Sequence, residues 1–299
     1  MLDRLEVIAT GLDHPEGVAW GPDGRVYAGG EAGQIYAIGP GGALEQVASS
    51  GGFMYGITLD GEANVFACDY GAARVVKVTR DGEISTYSTG TTEHPIRVPN
   101  FSAFDGQGNL FVTDSGAWGA DDGLVFRIDA TGTTRIWTDR VRGFPNGCCL
   151  SVEGDALLVV ESSERRVVRV PIEPDGSAGQ PHPIAELTGS QPDGIALAAD
   201  GTMFVGCYRP DRIWRVPPGG RPEILLDDPD GVSLNQPANV AFIGPGLDRL
   251  AISSLGGWSI VDIDVGAVGL PLHYPVVGEP SRSGPRWGEL EADAGSDGT

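Results

Sequence analysis

HPEGVAW at residues 14–20 introduces a unit that recurs along the whole chain. Five similar stretches follow it, each a short loop running into an apolar strand: FMYGITL (53–59), VPNFSAF (98–104), FPNGCCL (144–150), QPDGIAL (191–197) and QPANVAF (236–242). The third residues of consecutive motifs lie 39 to 47 positions apart. A period of this size indicates one supersecondary unit repeated six times.

Each motif is followed by a polar turn and by further apolar runs. In the fifth repeat these runs are MFVGCY from 203, RIWRV from 212 and EILLD from 223. Short runs rich in Val, Ile, Phe and Tyr between Gly, Pro and Asp indicate strands rather than helices. Four strands in a period of about 45 residues are typical of a propeller blade. The sequence therefore predicts an all-β, six-bladed β-propeller with four antiparallel strands per blade.

The two ends of the chain predict how the ring closes. LEVIAT at 5–10 resembles the fourth strand of a blade, although no blade precedes it, and the sixth repeat shows only three clear runs. Pairing these elements would close the ring and remove its exposed edges. Residues 1–277 are thus predicted to form a single propeller domain. Residues 278–299, rich in Gly, Ser, Glu and Asp, are predicted to be a disordered tail.

Charge and composition exclude several classes of partner. The chain carries 41 acidic and 20 basic residues, a net charge of -21, which repels nucleic acid and anionic lipid surfaces. Neither a secretory signal nor an apolar run of membrane-spanning length is recognised, so we expect a cytoplasmic protein. The four cysteines lack metal-site spacing and are expected to be reduced core thiols.

The third residue of each motif is a candidate for the functional site. The first strand of a propeller blade lies nearest the axis, so these six residues should form a ring around one mouth of the channel: Glu16, Tyr55, Asn100, Asn146, Asp193 and Ala238. Four of the six offer oxygen ligands and none is a thiolate or an imidazole, which suits Ca²⁺, Mg²⁺ or Mn²⁺. The alternative is that Asn146-Gly147 and Asp193-Gly194 are ordinary turn dipeptides.

The same motifs carry a family resemblance. HPEG around Glu16, PN at 99–100 followed by LFVTDSGAWG, PNG at 145–147, and PDG at 192–194 followed by MFVGCYRPDRIWRV resemble the senescence-marker-protein/gluconolactonase family of regucalcin-like six-bladed propellers. The resemblance spans about residues 5–275. It implies one divalent cation held by Glu16, Asn146 and Asp193, with Ca²⁺ expected first and Mg²⁺, Mn²⁺ or Zn²⁺ as alternatives. It further implies a lactonase that opens its substrate by attack of water.

Catalytic and substrate-binding roles follow from the resemblance and from the aromatic residues. The family implies Asp193 as a general base and Asn100 as a contact to the substrate or to a water on the metal. Where the family often has Asp after Asn100, this chain has Phe101. Together with Tyr55, Trp118 and Tyr208, Phe101 predicts a small-molecule substrate more apolar than a sugar lactone. The alternatives are a phosphotriester hydrolase on the same metal site and a non-catalytic ligand- or calcium-binding propeller.

Overall fold

Each repeat of the sequence folds into one four-stranded antiparallel sheet. The computed structural model describes residues 1–277 and contains six such sheets, which confirms the predicted six-bladed β-propeller. The predicted C-terminal tail, 278–299, lies outside the described residues. No helix within the described range is long and apolar enough to cross a membrane.

The strands follow one another from the inside of each blade to the outside. Blade 1 contains β2 (Val18–Trp20), β3 (Val26–Gly29), β4 (Gln34–Ile38) and β5 (Leu44–Ser49); blade 2 contains β6 (Met54–Leu59), β7 (Val65–Asp69), β8 (Arg74–Val78) and β9 (Ile84–Ser88); blade 3 contains β10 (Pro99–Phe104), β11 (Leu110–Asp114), β12 (Leu124–Ile128) and β13 (Thr134–Thr138). Blade 4 contains β14 (Pro145–Leu150), β15 (Ala156–Glu161), β16 (Arg166–Pro171) and β17 (His182–Glu186); blade 5 contains β18 (Gln191–Leu197), β19 (Met203–Arg209), β20 (Asp211–Val216) and β21 (Glu223–Asp227). Blade 6 contains β22 (Pro237–Ile243), β23 (Arg249–Ser254) and β24 (Ser259–Ile263).

Strand β1 (Glu6–Thr10) supplies the fourth strand of blade 6. It pairs antiparallel with β24, from Glu6 opposite Asp262 to Thr10 opposite Ser259. The predicted closure of the ring is therefore confirmed. The only helical elements in residues 1–277 are three single turns of 3-10 helix, Leu2–Arg4, Pro40–Gly42 and Tyr70–Ala72.

The apolar core lies between neighbouring blades. Between blades 2 and 3, for example, Phe66 packs edge-to-face against Phe104, with ring centroids 5.0 Å apart, and against Tyr87 at 4.8 Å. These three side chains belong to one buried cluster that spans both sheets. Sheets of this kind stabilise each other because every blade buries both of its faces.

A bulge near the start of the inner strand displaces the ring residues from the strand ladder. In blade 3, Pro99 pairs with Asp114 and Ser102 pairs with Val112, so three steps on β10 match two on β11. The same offset occurs in blades 2, 4, 5 and 6. A bulge leaves one residue unpaired and turns its neighbours out of the sheet plane. The repeated bulge thereby frees the third and fourth motif residues to face the channel or the next blade.

Buried carboxylates at the ends of second strands fix the loops that lead into the inner strands. Asp114 accepts hydrogen bonds from the backbone N–H groups of Arg97 at 2.7 Å and Val98 at 3.1 Å. In blade 4, Glu161 accepts from the N–H groups of Arg142 and Gly143, both at 3.0 Å. These bonds hold the backbone just before the ring residues.

The channel below the ring is apolar and is covered at its far end. A cavity of about 90 Å³ is lined by residues such as Phe101, Cys148, Ile195 and Val240, and by Leu270 to His273. The C-terminal segment is tied there by hydrogen bonds from Leu270 N to Leu197 O (2.8 Å) and from Tyr274 Oη to Trp20 O (2.6 Å). All four cysteines are free thiols, as predicted, and three of them are buried.

Replacing Asp114 by Asn should destabilise the fold, because a neutral amide cannot accept both backbone hydrogen bonds as well as a carboxylate does. We expect Asp114→Asn to lower the free energy of unfolding by about 1–3 kcal/mol in urea titrations. Asp81→Asn, at an exposed turn, is the matched control and should change it by less than about 0.5 kcal/mol. Equal stability of the two variants would contradict the loop-fixing role.

Candidate functional site

The four predicted oxygen ligands all lie on inner strands or immediately before one, and all are buried. Glu16 precedes β2, while Asn100, Asn146 and Asp193 lie within β10, β14 and β18. Their residual exposures are only 2–8%. These residues are up to 177 positions apart in the sequence, and each occupies the same position of its own repeat, next to the propeller axis.

The glycines that follow the ring residues are required by strand packing rather than by turns. Gly17, Gly147 and Gly194 are absent from the glycines with positive φ, whereas turn glycines such as Gly24 and Gly201 have φ of 79° and 86°. A Cβ atom on Gly147 would lie 2.6 Å from the carbonyl oxygen of Asp193 in the next blade. The turn-dipeptide alternative is therefore wrong for Asn146 and Asp193, and glycine is needed because neighbouring inner strands approach closely.

Glu16 and Asp193 influence each other strongly. Burial raises the pKa of Glu16 well above its usual range, and the nearby Asp193 carboxylate raises it further. Burial also raises the pKa of Asp193, to about 7, against a lowering effect of the Asn146 amide. No basic side chain in the described chain contributes to either shift. Without a cation, two charged carboxylates at this place are unfavourable.

A serine from the neighbouring strand end orients Asn146. The Asn146 side-chain N–H donates to Ser162 Oγ at 3.1 Å, and this hydroxyl donates to the carbonyl oxygen of Pro192 at 2.6 Å. The amide oxygen of Asn146 is therefore turned away from Ser162. Ser162 carries no signal of this role in the sequence, where it is the last residue of the second-strand run LLVVES.

The buried oxygens of the ring fit a hard cation. Asn100 Oδ1, Asn146 Oδ1 and Asp193 Oδ1 are fully inaccessible and have no hydrogen-bond partner within residues 1–277. Buried polar atoms are normally paired, and unpaired ones cost about 1–3 kcal/mol each. Oxygen-only donors with two carboxylates match the preferences of Ca²⁺ and Mg²⁺. On these grounds the residues present fit the divalent cation that the sequence implied.

Asn239 on blade 6 is a further buried polar residue that the motif positions did not predict. Ala238 occupies the third motif position and is apolar, but the following residue, Asn239, is fully buried. Neither the side-chain oxygen nor the side-chain nitrogen of Asn239 has a hydrogen-bond partner in the described structure. The sequence signal for this residue is an Asn that directly follows the apolar third residue of the motif QPANVAF.

Several aromatic residues lie near the beginnings of the inner strands, on the same side of the propeller as the ring. Tyr55 stacks on Tyr70 with ring centroids 4.7 Å apart and meets Phe53 edge-on at 4.9 Å. Burial raises the pKa of Tyr55, and the Glu16 carboxylate adds to this shift. Burial and Asp193 likewise raise the pKa of Tyr208. Tyr55 adjoins the residue after Glu16, because a Cβ atom on Gly17 would collide with the Tyr55 carbonyl oxygen, and Tyr208 follows Cys207, which pairs with Pro192 next to Asp193.

The other two predicted substrate-binding aromatics occupy different places. Trp118, in the loop between β11 and β12, is 52% exposed and packs edge-on against Phe144 at 4.9 Å. Phe101 is buried, covers the backbone of Gly56 and lines the apolar cavity below the ring. The structure thus places Trp118 on the rim and Phe101 inside the channel.

A second group of ligand-type side chains lies at the rim beside Glu16. The Nδ1 atom of His14 is 3.0 Å from Asp13 Oδ1 and 2.8 Å from Glu31 Oε2. The His14 ring also packs on Trp258, with centroids 4.9 Å apart. All three polar residues are half-buried or exposed, and their mutual contacts already pair the imidazole with carboxylates.

Comparison with proteins of known sequence and structure gives two kinds of match. Protein STRICTOSIDINE SYNTHASE-LIKE 3 of Arabidopsis thaliana is 29% identical over 45% of this chain, and the lactonase drp35 of Staphylococcus aureus is 27% identical over 53%. The chain spans only 38% and 52% of the lengths of these relatives. A gluconolactonase from Xanthomonas campestris superposes with a TM-score of 0.75, at 16% identity, over 87% of this chain and 89% of that one.

A calcium-binding regucalcin from Agrobacterium tumefaciens has a TM-score of 0.72 at 16% identity, covering 91% of this chain and 97% of its own. At such identities these structures support the propeller fold alone. The sequence model of the SMP-30/gluconolactonase/LRE-like region, by contrast, matches residues 30–256, from the middle of blade 1 into blade 6. Because this match covers most of the propeller, the chain belongs to the SMP-30/gluconolactonase/LRE-like family.

Proposed function

We propose that the protein is a divalent-cation-dependent lactonase in which Glu16, Asn146 and Asp193 hold the cation. The observation that carries the proposal is the set of buried, unpaired oxygens on Asn100, Asn146 and Asp193 beside Glu16. Family membership and the relationship to lactonase drp35 support a lactone substrate. The oxygen-only donor set disfavours Zn²⁺, and the amide oxygens among the donors favour Ca²⁺, which accepts many protein oxygens, over Mg²⁺, which keeps several waters; Mn²⁺ is a further alternative.

The residues of the ring have different roles in the proposed hydrolysis. A divalent cation, when bound, supplies positive charge that polarises the lactone carbonyl and favours negative charge on its oxygen. Asp193 accepts the proton of the attacking water and returns it to the ring oxygen as the acyl C–O bond breaks, which releases the hydroxy acid. Asn100 orients the substrate or this water with its unpaired amide. The apolar channel below the ring limits the approach of other water molecules.

The mouth of the channel suits a substrate with an apolar group. Tyr55 and Tyr208 lie next to the carboxylates, and Trp118 and Tyr70 extend an aromatic surface outward, at 52% and 41% exposure. Aromatic rings around a few convergent polar groups are typical of sites for apolar small molecules. We therefore propose aliphatic or aromatic lactones as the substrate class, in preference to aldonolactones.

Removing the cation with a chelator should abolish lactone hydrolysis, and one of Ca²⁺, Mg²⁺, Mn²⁺ or Zn²⁺ should restore it. Asp193→Ala should lose both cation binding, measured by isothermal titration calorimetry, and turnover, by roughly 10²–10⁴-fold. Asn100→Ala should lose turnover while it still binds the cation. Asp139→Ala, at an exposed position, is the control and should match the unmodified protein.

Equal activity of the chelated and cation-loaded protein would contradict these assignments. Cation binding without hydrolysis of any lactone would favour the non-catalytic binding propeller instead. Turnover of phosphotriesters alone would reassign the same site to that chemistry.

The stability of the cation-free protein should fall as the pH rises. Glu16 and Asp193 have raised pKa values in the folded state, so the folded protein holds their protons more tightly than the unfolded chain, whose carboxyls titrate near pH 4. This contribution to stability is complete below about pH 4 and is lost as the pH passes through about 7. We expect a lower thermal midpoint at pH 8 than at pH 5.5, and a larger Ca²⁺-induced increase at pH 8, by differential scanning calorimetry. Asp193→Asn should show a weaker pH dependence, and an identical slope in both proteins would rule out this origin.

A panel of lactones should reveal the role of the aromatic mouth. We expect higher kcat/KM for aliphatic and aromatic lactones than for aldonolactones. Trp118→Ala should lower kcat/KM for the apolar substrates by roughly 10-fold while leaving aldonolactones unaffected. Ile184→Ala, on an outer strand, controls for loss of an exposed apolar side chain. Exclusive turnover of aldonolactones would overturn the proposed substrate class.

A further inference from the structure

Asn239 is a fully buried amide with no visible structural role for its side chain. Its exposure is 0%, and neither Oδ1 nor Nδ2 has a hydrogen-bond partner in the described part of the chain. The apolar residues around it on β22, such as Val240 and Phe242, belong to packed clusters. A buried amide that satisfied no partner would cost about 1–3 kcal/mol for each group, which an apolar residue of similar size would avoid.

The position of Asn239 lies between the strands that carry the two carboxylates. On one side, a methyl group added to Gly194, the residue after Asp193, would collide with the Asn239 amide oxygen. On the other side, the backbone N–H of Asn239 donates to Ser253 Oγ at 2.8 Å. The same hydroxyl donates to the backbone carbonyl of Glu16 at 2.6 Å. The Asn239 amide thus adjoins the residue after Asp193, and its backbone is linked through Ser253 to the backbone of Glu16.

The side-chain oxygen of Asn239 resembles three other buried oxygens that lack a hydrogen-bond partner. Asn100, Asn146 and Asp193 each have an unpaired, inaccessible Oδ1 on the equivalent part of an inner strand. Asn239 adds a fourth such oxygen, offset by one residue, on the blade whose own ring position is Ala238. One cation at the axis would provide a common partner for the oxygens of Asn146, Asp193 and Asn239.

We propose that Asn239 is a cation-binding residue, whose amide oxygen completes the ring on blade 6. The inference rests on the proposed cation site and adds to it a residue from a blade that otherwise contributes no polar group. With its oxygen directed to the cation, the amide N–H groups remain free to donate to an oxygen of the substrate or of a water. The competing explanation is an amide bonded only to a buried water, with no influence on the cation.

The test is calcium binding by chelator-stripped protein, measured by isothermal titration calorimetry together with the thermal midpoint. Asn239→Leu should weaken Ca²⁺ binding by roughly 10–100-fold. Its cation-free form should be as stable as the unmodified protein or more stable, because an unpaired buried amide is removed. Asn239→Asp keeps the oxygen and adds charge, so it should bind Ca²⁺ at least as tightly.

Tyr87→Phe is the matched control. It removes another buried and unpaired polar atom, the Tyr87 hydroxyl on the outer strand β9, and should leave Ca²⁺ affinity unchanged. Unchanged affinity in Asn239→Leu would overturn the inference and leave the proposed function intact. If Asn239→Leu does not fold, weaker binding by Asn239→Asp would overturn it equally. An unmodified protein that binds none of Ca²⁺, Mg²⁺, Mn²⁺ or Zn²⁺ would refute the cation site itself.

Discussion

Mutual repulsion between two buried carboxylates is the constraint around which the rest of the site is built. Glu16 and Asp193 are brought together although burial already disfavours a charge on either. The cost of desolvating such charges amounts to several kcal/mol per ion unless a partner compensates for it. The described residues supply no basic partner, so without a cation these carboxyl groups favour their protonated forms. A divalent cation would convert this unfavourable arrangement into a binding site.

Hydroxyl groups that connect neighbouring blades give the ring the necessary rigidity. Thr113 donates to the carbonyl of Asn146, Ser162 to that of Pro192, and Ser253 to that of Glu16, at 2.6–2.8 Å. Each bond joins the second strand of one blade, or its end, to the inner strand of the next. The positions of the functional oxygens are therefore coupled to blade-to-blade packing, and closure of the ring by β1 fixes them all at once.

Polarity changes sharply along the axis. The ring is polar, the channel below it is lined by apolar side chains such as Ile195 and Val240, and the segment from Leu270 to His273 covers the far end. On the side of the ring, Tyr55 stacks on Tyr70, and Trp118 is exposed in the loop between β11 and β12. The two ends of the channel therefore differ in chemical character, with buried polar side chains at one end and apolar side chains at the other.

Strand number, ring closure and the shared inner-strand placement of Glu16, Asn100, Asn146 and Asp193 could be predicted from the sequence, because a repeat places equivalent residues at equivalent positions in space. The repeat could not predict features that break it. Asn239 stands one residue away from its expected ring position, Ser162 acts on a residue 16 positions away through a side-chain contact, and Phe101 turns into the channel over Gly56. The amino-acid sequence by itself thus determined the architecture and the polar ring, through periodicity. Only the tertiary structure decided which groups are buried, unpaired and adjacent, because these properties depend on bulges and on contacts between blades that are distant along the chain.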